Sequence, residues 1–351
     1  MHPTRRTALL TIGAGGASLG APAVLRARAA TKTYRMLLNT AFSGPQAWLM
    51  LAQDNGYLRD EGLELEFTTG AGAFTAAPRM QAEGFDFGYG DVNSLIEVAA
   101  KSPDAAPVGV FMMFNASPST IAVPASGPIR TPKDVEGKTL SGHATDVALR
   151  TFGAFCKSTG VDQRSVKIIH FDGSMRAQVE GVLASSTVHG AFGYVSTISA
   201  AMAAAKIDAG KALRFLKFAD TAPDLYGSVV MASRKMMRDD PKAIAGLTRA
   251  VNRGLVAMLA DIDASIEAVR RKDPTVTPEV EKLRLMTTLK VEMSHAEGRT
   301  LGIGAVDAAR LARSIALVAQ TNGLPRTPAG AEIFTDAYLP PLAERVTTLA
   351  S

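Results

Sequence analysis

Residues 34–68 read YRMLLNTAFSGPQAWLMLAQDNGYLRDEGLELEFT, and this stretch sets the fold class. The apolar run 34–39 predicts a strand. Ser43-Gly44-Pro45 then offers an N-cap residue with proline in the first turn of a helix predicted over 46–55, and Gly56 ends it. Residues 63–68 alternate apolar and polar, which is the period of a strand. Strand, helix and strand joined by short turns form a βαβ unit, whose strands lie parallel in one covered sheet.

The same alternation continues outward. Gly70-Ala71-Gly72 leads into a helix predicted over 75–83, residues 85–89 form a third strand, and Asp91 or Asn93 caps a helix running to residue 100. A fourth strand is predicted over 108–114. The polar stretch 117–133, with Pro118, Pro124, Pro128 and Pro132, predicts a crossing between domains. Beyond it the pattern restarts, with strands over 138–141, 166–171 and 188–194 and helices over 146–158, 174–184 and 197–206. Residues 213–219 and 228–232 are predicted as return strands. From Asp240 onward the chain reads as helix, in a long run to residue 270 and again over 279–290 and 306–320. No repeat of fixed period is present, so a solenoid or propeller is not supported.

The chain has 351 residues, 47% apolar and 20% charged, enough for about two globular domains at ~150 residues each. Its single cysteine, Cys156, excludes a disulfide framework and a thiolate cluster within one chain. The formal charge of +5 is concentrated at the start: Arg5, Arg6, Arg26 and Arg28 lie in residues 1–29, which hold no acid, leaving 34 bases against 33 acids. A body so nearly neutral offers no general attraction to nucleic acid or an anionic membrane. Arg5-Arg6, an uncharged glycine-diluted stretch over 8–25 and Ala27-Arg28-Ala29 form an export signal of the twin-arginine type, with cleavage expected near Ala29/Ala30. No later segment has 18 consecutive apolar residues, so the mature chain is not expected to span a membrane.

LAQDNGYLRDEGLEL (51–65) resembles the opening of extracytoplasmic substrate-binding proteins of the nitrate, taurine, sulfonate and thiamine-pyrimidine-precursor transport family. Agreeing fragments follow in order: QAEGFDFG (81–88), TPKDVEGKTL (131–140), VLASSTVHGA (182–191), YGSVVMAS (226–233) with DPKA (240–243) and RAVNRGL (249–255), and EIFTDAYLP (332–340). Ser185-Ser186 and His189-Gly190 depart from the glycine and aspartate usual there. The resemblance implies a type II-like periplasmic binding fold, two α/β lobes with a ligand cleft and a hinge. Lobe I is expected over 30–118 and 226–351, and lobe II over 119–225. It further implies a periplasmic protein that hands a small-molecule ligand to an ABC permease driven by a separate ATPase; a monomer without a cofactor is expected, and His143, His170, His189 and His295 lack the two-residue or i, i+4 spacing of a metal site.

In open α/β sheets the ligand site lies beyond the carboxyl ends of the strands, where helix N-termini present free N–H groups. The candidates at those ends are Asn39, Ser43, Gln46, Thr75, Asp91, Asn93, Asn115, His143 and Thr145, with Phe42, Phe74, Phe114, Phe192, Tyr194 and Tyr226 as aromatic walls. A plain helix cap is the default for each polar residue and core packing for each aromatic; Ser43, Thr75, Asn93 and Thr145 are candidates for both roles. Arg79, Arg150 and Arg176 sit a turn or two beyond these loops and would suit a carboxylate clamp, against the default of solvated helix faces. The walls favour a small organic solute with a flat or apolar body and a polar or anionic end, such as an aromatic carboxylate, a sulfonate or a pyrimidine. Two rivals remain at this point, an enzyme on the same fold and an extracytoplasmic solute sensor. Hydrolase-elbow and phosphate-loop signatures are missing from the sequence.

Overall fold

A computed structural model describes residues 31–349. The export signal read over 1–29 and its cleavage position lie outside the described residues. Ten strands follow in chain order: β1 (Lys32–Leu37), β2 (Leu63–Thr68), β3 (Phe87–Asp91), β4 (Val108–Met112), β5 (Ser119–Pro124), β6 (Thr139–Gly142), β7 (Lys167–His170), β8 (Gly190–Tyr194), β9 (Leu213–Lys217) and β10 (Ser228–Ala232). They form two five-stranded sheets of matching order, β2-β1-β3-β10-β4 and β7-β6-β8-β5-β9. The fold is the expected one, two α/β lobes.

The chain crosses between the sheets twice. Each strand that follows a crossing runs against its neighbours: β5 is antiparallel to β8 and β9, and β10 is antiparallel to β3 and β4. Both sheets are therefore mixed, not purely parallel as the βαβ reading expects. The consequence is positional. The starts of β5 and β10 lie beside the carboxyl ends of β8 and β3, with Ser119 opposite Tyr194 and Ser228 opposite Asp91.

Residues 117–133 differ from their sequence reading. Pro118 precedes β5 and Pro124 is its last residue, so neither interrupts it, and Ser119 to Val123 are fully buried at the inner position between β8 and β9. The crossing itself is confined to the few residues between β4 and β5. The helical run after Asp240 is broken once, where Asp261 leaves helical geometry and its side chain caps Ala264 N, giving helices Pro241–Ala260 and Ile262–Lys272. Helix Pro278–Thr287 ends in a π-helical turn, Thr288–Glu292.

Trp48, on helix Ala47–Asp54, is fully buried, and its ring meets Tyr89 edge-on at 5.3 Å. Helix Pro241–Ala260 packs closely on this helix because Gly254 has no side chain; a Cβ there would stand 2.1 Å from the Trp48 carbonyl oxygen. Gly181, exposed on helix Met175–Ala184, has nothing within 4 Å of its missing Cβ. Gly254→Ala should therefore cost about 1–3 kcal/mol through overpacking, whereas Gly181→Ala should add about 0.4–1 kcal/mol through chain entropy and helix propensity. Urea unfolding of both variants checks the opposite signs.

Candidate functional site

Between the two sheets lies a cleft of about 360 Å³. From the first sheet's side it is lined by Asn39 and Thr40, which follow β1, and by the loop 70–73 after β2. That loop is fixed from below, since Gly72 N donates to the Asn39 carbonyl (2.8 Å) and Gly70 N to the Thr40 carbonyl (3.2 Å). Gly72 sits at φ +122°, a conformation side chains rarely adopt. The second sheet contributes His143, Thr145, Asp146 and Val147 after β6, Met175 after β7, Tyr194 at the end of β8 and Thr197 after it; Arg284 reaches in from helix Pro278–Thr287.

Tyr194 joins the cleft to a buried polar floor. Its hydroxyl donates to Asp91 Oδ2 at 3.4 Å, and Asp91 Oδ1 accepts from Asn93 N (2.9 Å) and Asn93 Nδ2 (2.8 Å), capping helix Val92–Lys101. Asp91 is fully buried. Desolvation pushes its carboxyl up to about 7, although the hydrogen bonds from Asn93 and Tyr194 pull the other way. The sheltered Asp146 carboxyl is raised to about 6 by desolvation, while Ala148 N and Leu149 N donate to its Oδ1. Burial also lifts Tyr194 and Glu292, whose Oε1 accepts from Ser196 N at 3.0 Å. The hydroxyls of Ser119 and Ser228, opposite Tyr194 and Asp91 at the strand starts, are buried along this floor, and that of Ser119 has no partner.

Behind the floor the two crossings are tied together. Arg310 donates to the carbonyls of Asn115 (2.6 Å), Leu225 (3.0 Å) and Pro223 (3.0 Å), pairs with Glu297 at 2.8 Å and lies 3.9 Å over the Tyr226 ring. The Tyr226 hydroxyl donates to both Glu297 oxygens (2.8 and 2.9 Å), and Asn115 Nδ2 donates to Glu297 Oε1 at 3.1 Å.

Of the residues expected from the sequence, Asn39, His143, Thr145 and Tyr194 line the cleft. Gln46 and Asp91 stand one contact back, Gln46 Nε2 donating to Asn39 Oδ1 and Asp91 accepting from Tyr194. Asn93 holds Asp91 and also donates to the Tyr226 carbonyl at 3.1 Å. Asn115 and Tyr226 belong to the Arg310 cluster instead. Ser43 is buried and its side chain makes no cap bond, while Thr75 Oγ1 donates to the Gly72 carbonyl at 2.8 Å. The aromatic walls are largely core. Phe42 packs on Phe67, Phe114 on Tyr89 and Phe192 on Phe152, and Phe74 carries the Arg150 guanidinium at 5.0 Å. Arg79, Arg150 and Arg176 are each paired, with Glu83, Glu97 and Glu180.

Arg284 is the cation that sequence reasoning missed. It lies some 90 residues from the nearest other lining residue, on a helix whose own pattern gives no sign of the cleft. Among the described residues no group of three or more His, Cys, Asp or Glu is placed to hold a metal ion, and no helix is long and apolar enough to cross a membrane.

A family model described as NMT1/THI5 like matches residues 46–265. This chain belongs to the NMT1/THI5-like family. No curated protein matches its sequence. Among solved structures, this family member is similar to the alkanesulfonate-binding protein SsuA from Xanthomonas axonopodis pv. citri bound to MOPS, at 16% identity and a TM-score of 0.65 over 88% of this chain and 99% of that one. The periplasmic aliphatic sulphonate binding protein SsuA from Escherichia coli matches at 14% identity and 0.64, over 92% and 94%. The Candida albicans CA3427 gene product, described as having the generic periplasmic binding protein structural fold, matches at 14% and 0.61, over 88% and 98%. At such identities the likeness establishes a periplasmic binding protein fold.

The buried acids of this family member give its stability a definite pH dependence. Between about pH 4 and 7 the unfolded chain releases the Asp91 proton while the folded chain holds it, so stability should fall as pH rises through this window. Asp146 acts in the same sense up to about 6. Asp91→Asn should flatten the fall, leaving melting temperatures equal near pH 4 and the variant higher at pH 8. Parallel melting curves of the ligand-free proteins would contradict this.

Proposed function

We propose that the protein is the solute-binding component of an ABC importer, capturing a small organic solute between its lobes. The observation that carries this reading is the cleft itself. Its lining comes from both sheets, its floor is polar and buried, and among the described residues the covalent links between the sheets are two short crossings gathered at Arg310. Such a construction lets the lobes close about a solute, and only a solute with greater affinity for the closed arrangement drives closure. The division proposed is residues 30–118 and 226–351 for one lobe and 119–225 for the other.

The rest of the reading follows the family. The export signal over 1–29 delivers the chain to the periplasm, where it works as a monomer and presents the closed form to a membrane permease powered by a separate ATPase. The reading includes no covalent chemistry. Cys156 is buried in an apolar surrounding and its thiol is pushed up to about 12, which denies it a nucleophile's thiolate. Two of the structural neighbours are sulfonate binders by name, and aromatic carboxylates, sulfonates and pyrimidines are the solute classes to test first.

A thermal-shift screen of the chain from Ala30 against those classes, with nitrate and bicarbonate as inorganic comparisons, tests the proposal. A true solute at 100 times its dissociation constant should add about 2.7 kcal/mol, confirmed as one site per chain by calorimetry. Silence across the panel from folded, solute-free protein would count against solute binding.

A further inference from the structure

The segment Pro278–Glu292 carries an acid into a helix start on each side of the cleft. Glu281 Oε2 accepts from Gly44 N at 2.7 Å, at the start of the turn Gly44–Gln46 that leads into helix Ala47–Asp54. Glu292 Oε1 accepts from Ser196 N at 3.0 Å, at the start of helix Val195–Ala204, and its other oxygen accepts from Thr288 Oγ1. Helix N-termini favour anions. Here those two positions, one in each half of the molecule, are filled by the protein's own carboxylates.

Between these acids stands Arg284. Its Nη2 donates to Thr197 Oγ1 at 3.3 Å, Nη1 lies 3.9 Å from Glu281 Oε1, and Nε is buried without a partner. The same cleft is lined by Asp146, which uses Oδ1 to cap its own helix and has no hydrogen bond to Oδ2. A solute in the cleft therefore meets the Arg284 guanidinium, the His143 imidazole and the Asp146 carboxyl, while Glu281 and Glu292 stand behind the lining, each held by a helix start. An anion bound at Arg284 leaves the Asp146 carboxyl of the same lining unmatched, and a second group on the solute that donates to Oδ2 matches it.

We infer that the cleft selects amphoteric solutes, with one acidic group read by Arg284 and one cationic or hydrogen-bond-donating nitrogen read by Asp146. This rests on the solute-binding reading and narrows its substrate class. Anions without a nitrogen donor leave Asp146 unmatched and bind more weakly. Arg284 and Asp146 are the specificity-determining residues, and Tyr194 lies against the body of the solute.

Skeleton-matched probes test the inference on the mature chain: 4-(aminomethyl)benzoate, 4-methylbenzoate and 4-methylbenzylamine, and likewise 5-aminopentanoate, pentanoate and pentylamine. Thermal shift and calorimetry should show the amphoteric member of a set binding at least tenfold tighter than either partner. Asp146→Asn should reduce the preference over the acid about tenfold or more, and Arg284→Gln the preference over the amine, each in protein whose circular dichroism matches the parent. An acid-only probe that binds as tightly as its amphoteric partner overturns the inference while leaving solute binding intact. So does a hit in the wider panel that lacks a nitrogen donor, or a variant that keeps its full preference. If all six probes are silent, an amphoteric hit in the wider panel supports the inference; silence of that panel as well removes both readings.

Discussion

One buried guanidinium holds the two chain crossings in a single place. Arg310 is 6% exposed, and burying a charge pair costs several kcal/mol of desolvation per ion unless the geometry is good and the remaining donors are satisfied. Here they are satisfied by Glu297 and by backbone carbonyls of both crossings, Asn115 from the first and Pro223 and Leu225 from the second. Backbone carbonyls are demanding partners, because they fix the path of the chain as well as the side chain. The antiparallel entries of β5 and β10, and hence the pairing of Ser119 with Tyr194 and Ser228 with Asp91, depend on these crossings running where they do.

From that anchor the cleft follows. The strand starts bring hydroxyls, and the strand ends bring Asp91 and Tyr194, to a floor from which water is largely excluded. Exclusion of water is what raises the Asp91 carboxyl, and it also strengthens every contact a solute makes above it. The C-terminal helices complete the enclosure. Helix Pro278–Thr287 packs on helix Val195–Ala204 of the second half, and helix Ala308–Thr321 touches helices from both. Far from the crossings, Arg150 pairs with the nearly buried Glu97, while Asn322 donates to Glu97 and to the Arg150 carbonyl. The two halves are thus joined by separable side-chain contacts at the outer edge and by covalent crossings at the inner one.

Sequence periodicity gave away the alternating elements because strands and helices of this fold are local and strongly patterned. It misjudged β5, where proline and polar letters outweighed the buried Ile121, Ala122 and Val123 between them. The strand ends were legible through their caps, and with them Asn39, His143, Thr145 and Tyr194. What a strand-end residue faces was not. Phe192, Tyr226 and Asn115 sit at such ends and turn to core or to Arg310, a choice made by packing across the molecule. Arg284 was illegible for the same reason, since only the fold carries its helix to the cleft.

The central claim is capture of a solute between two lobes that close. Spin labels at Glu66→Cys on β2 and Lys167→Cys on β7, both exposed positions on the outer strands of their sheets, would report the distance between lobes by double electron–electron resonance. Buried Cys156, its thiol pushed up to about 12, should stay unlabelled. With a saturating solute from the screen, the account predicts a shorter and narrower distance distribution than in the solute-free protein. An identical distribution with and without bound solute would contradict it.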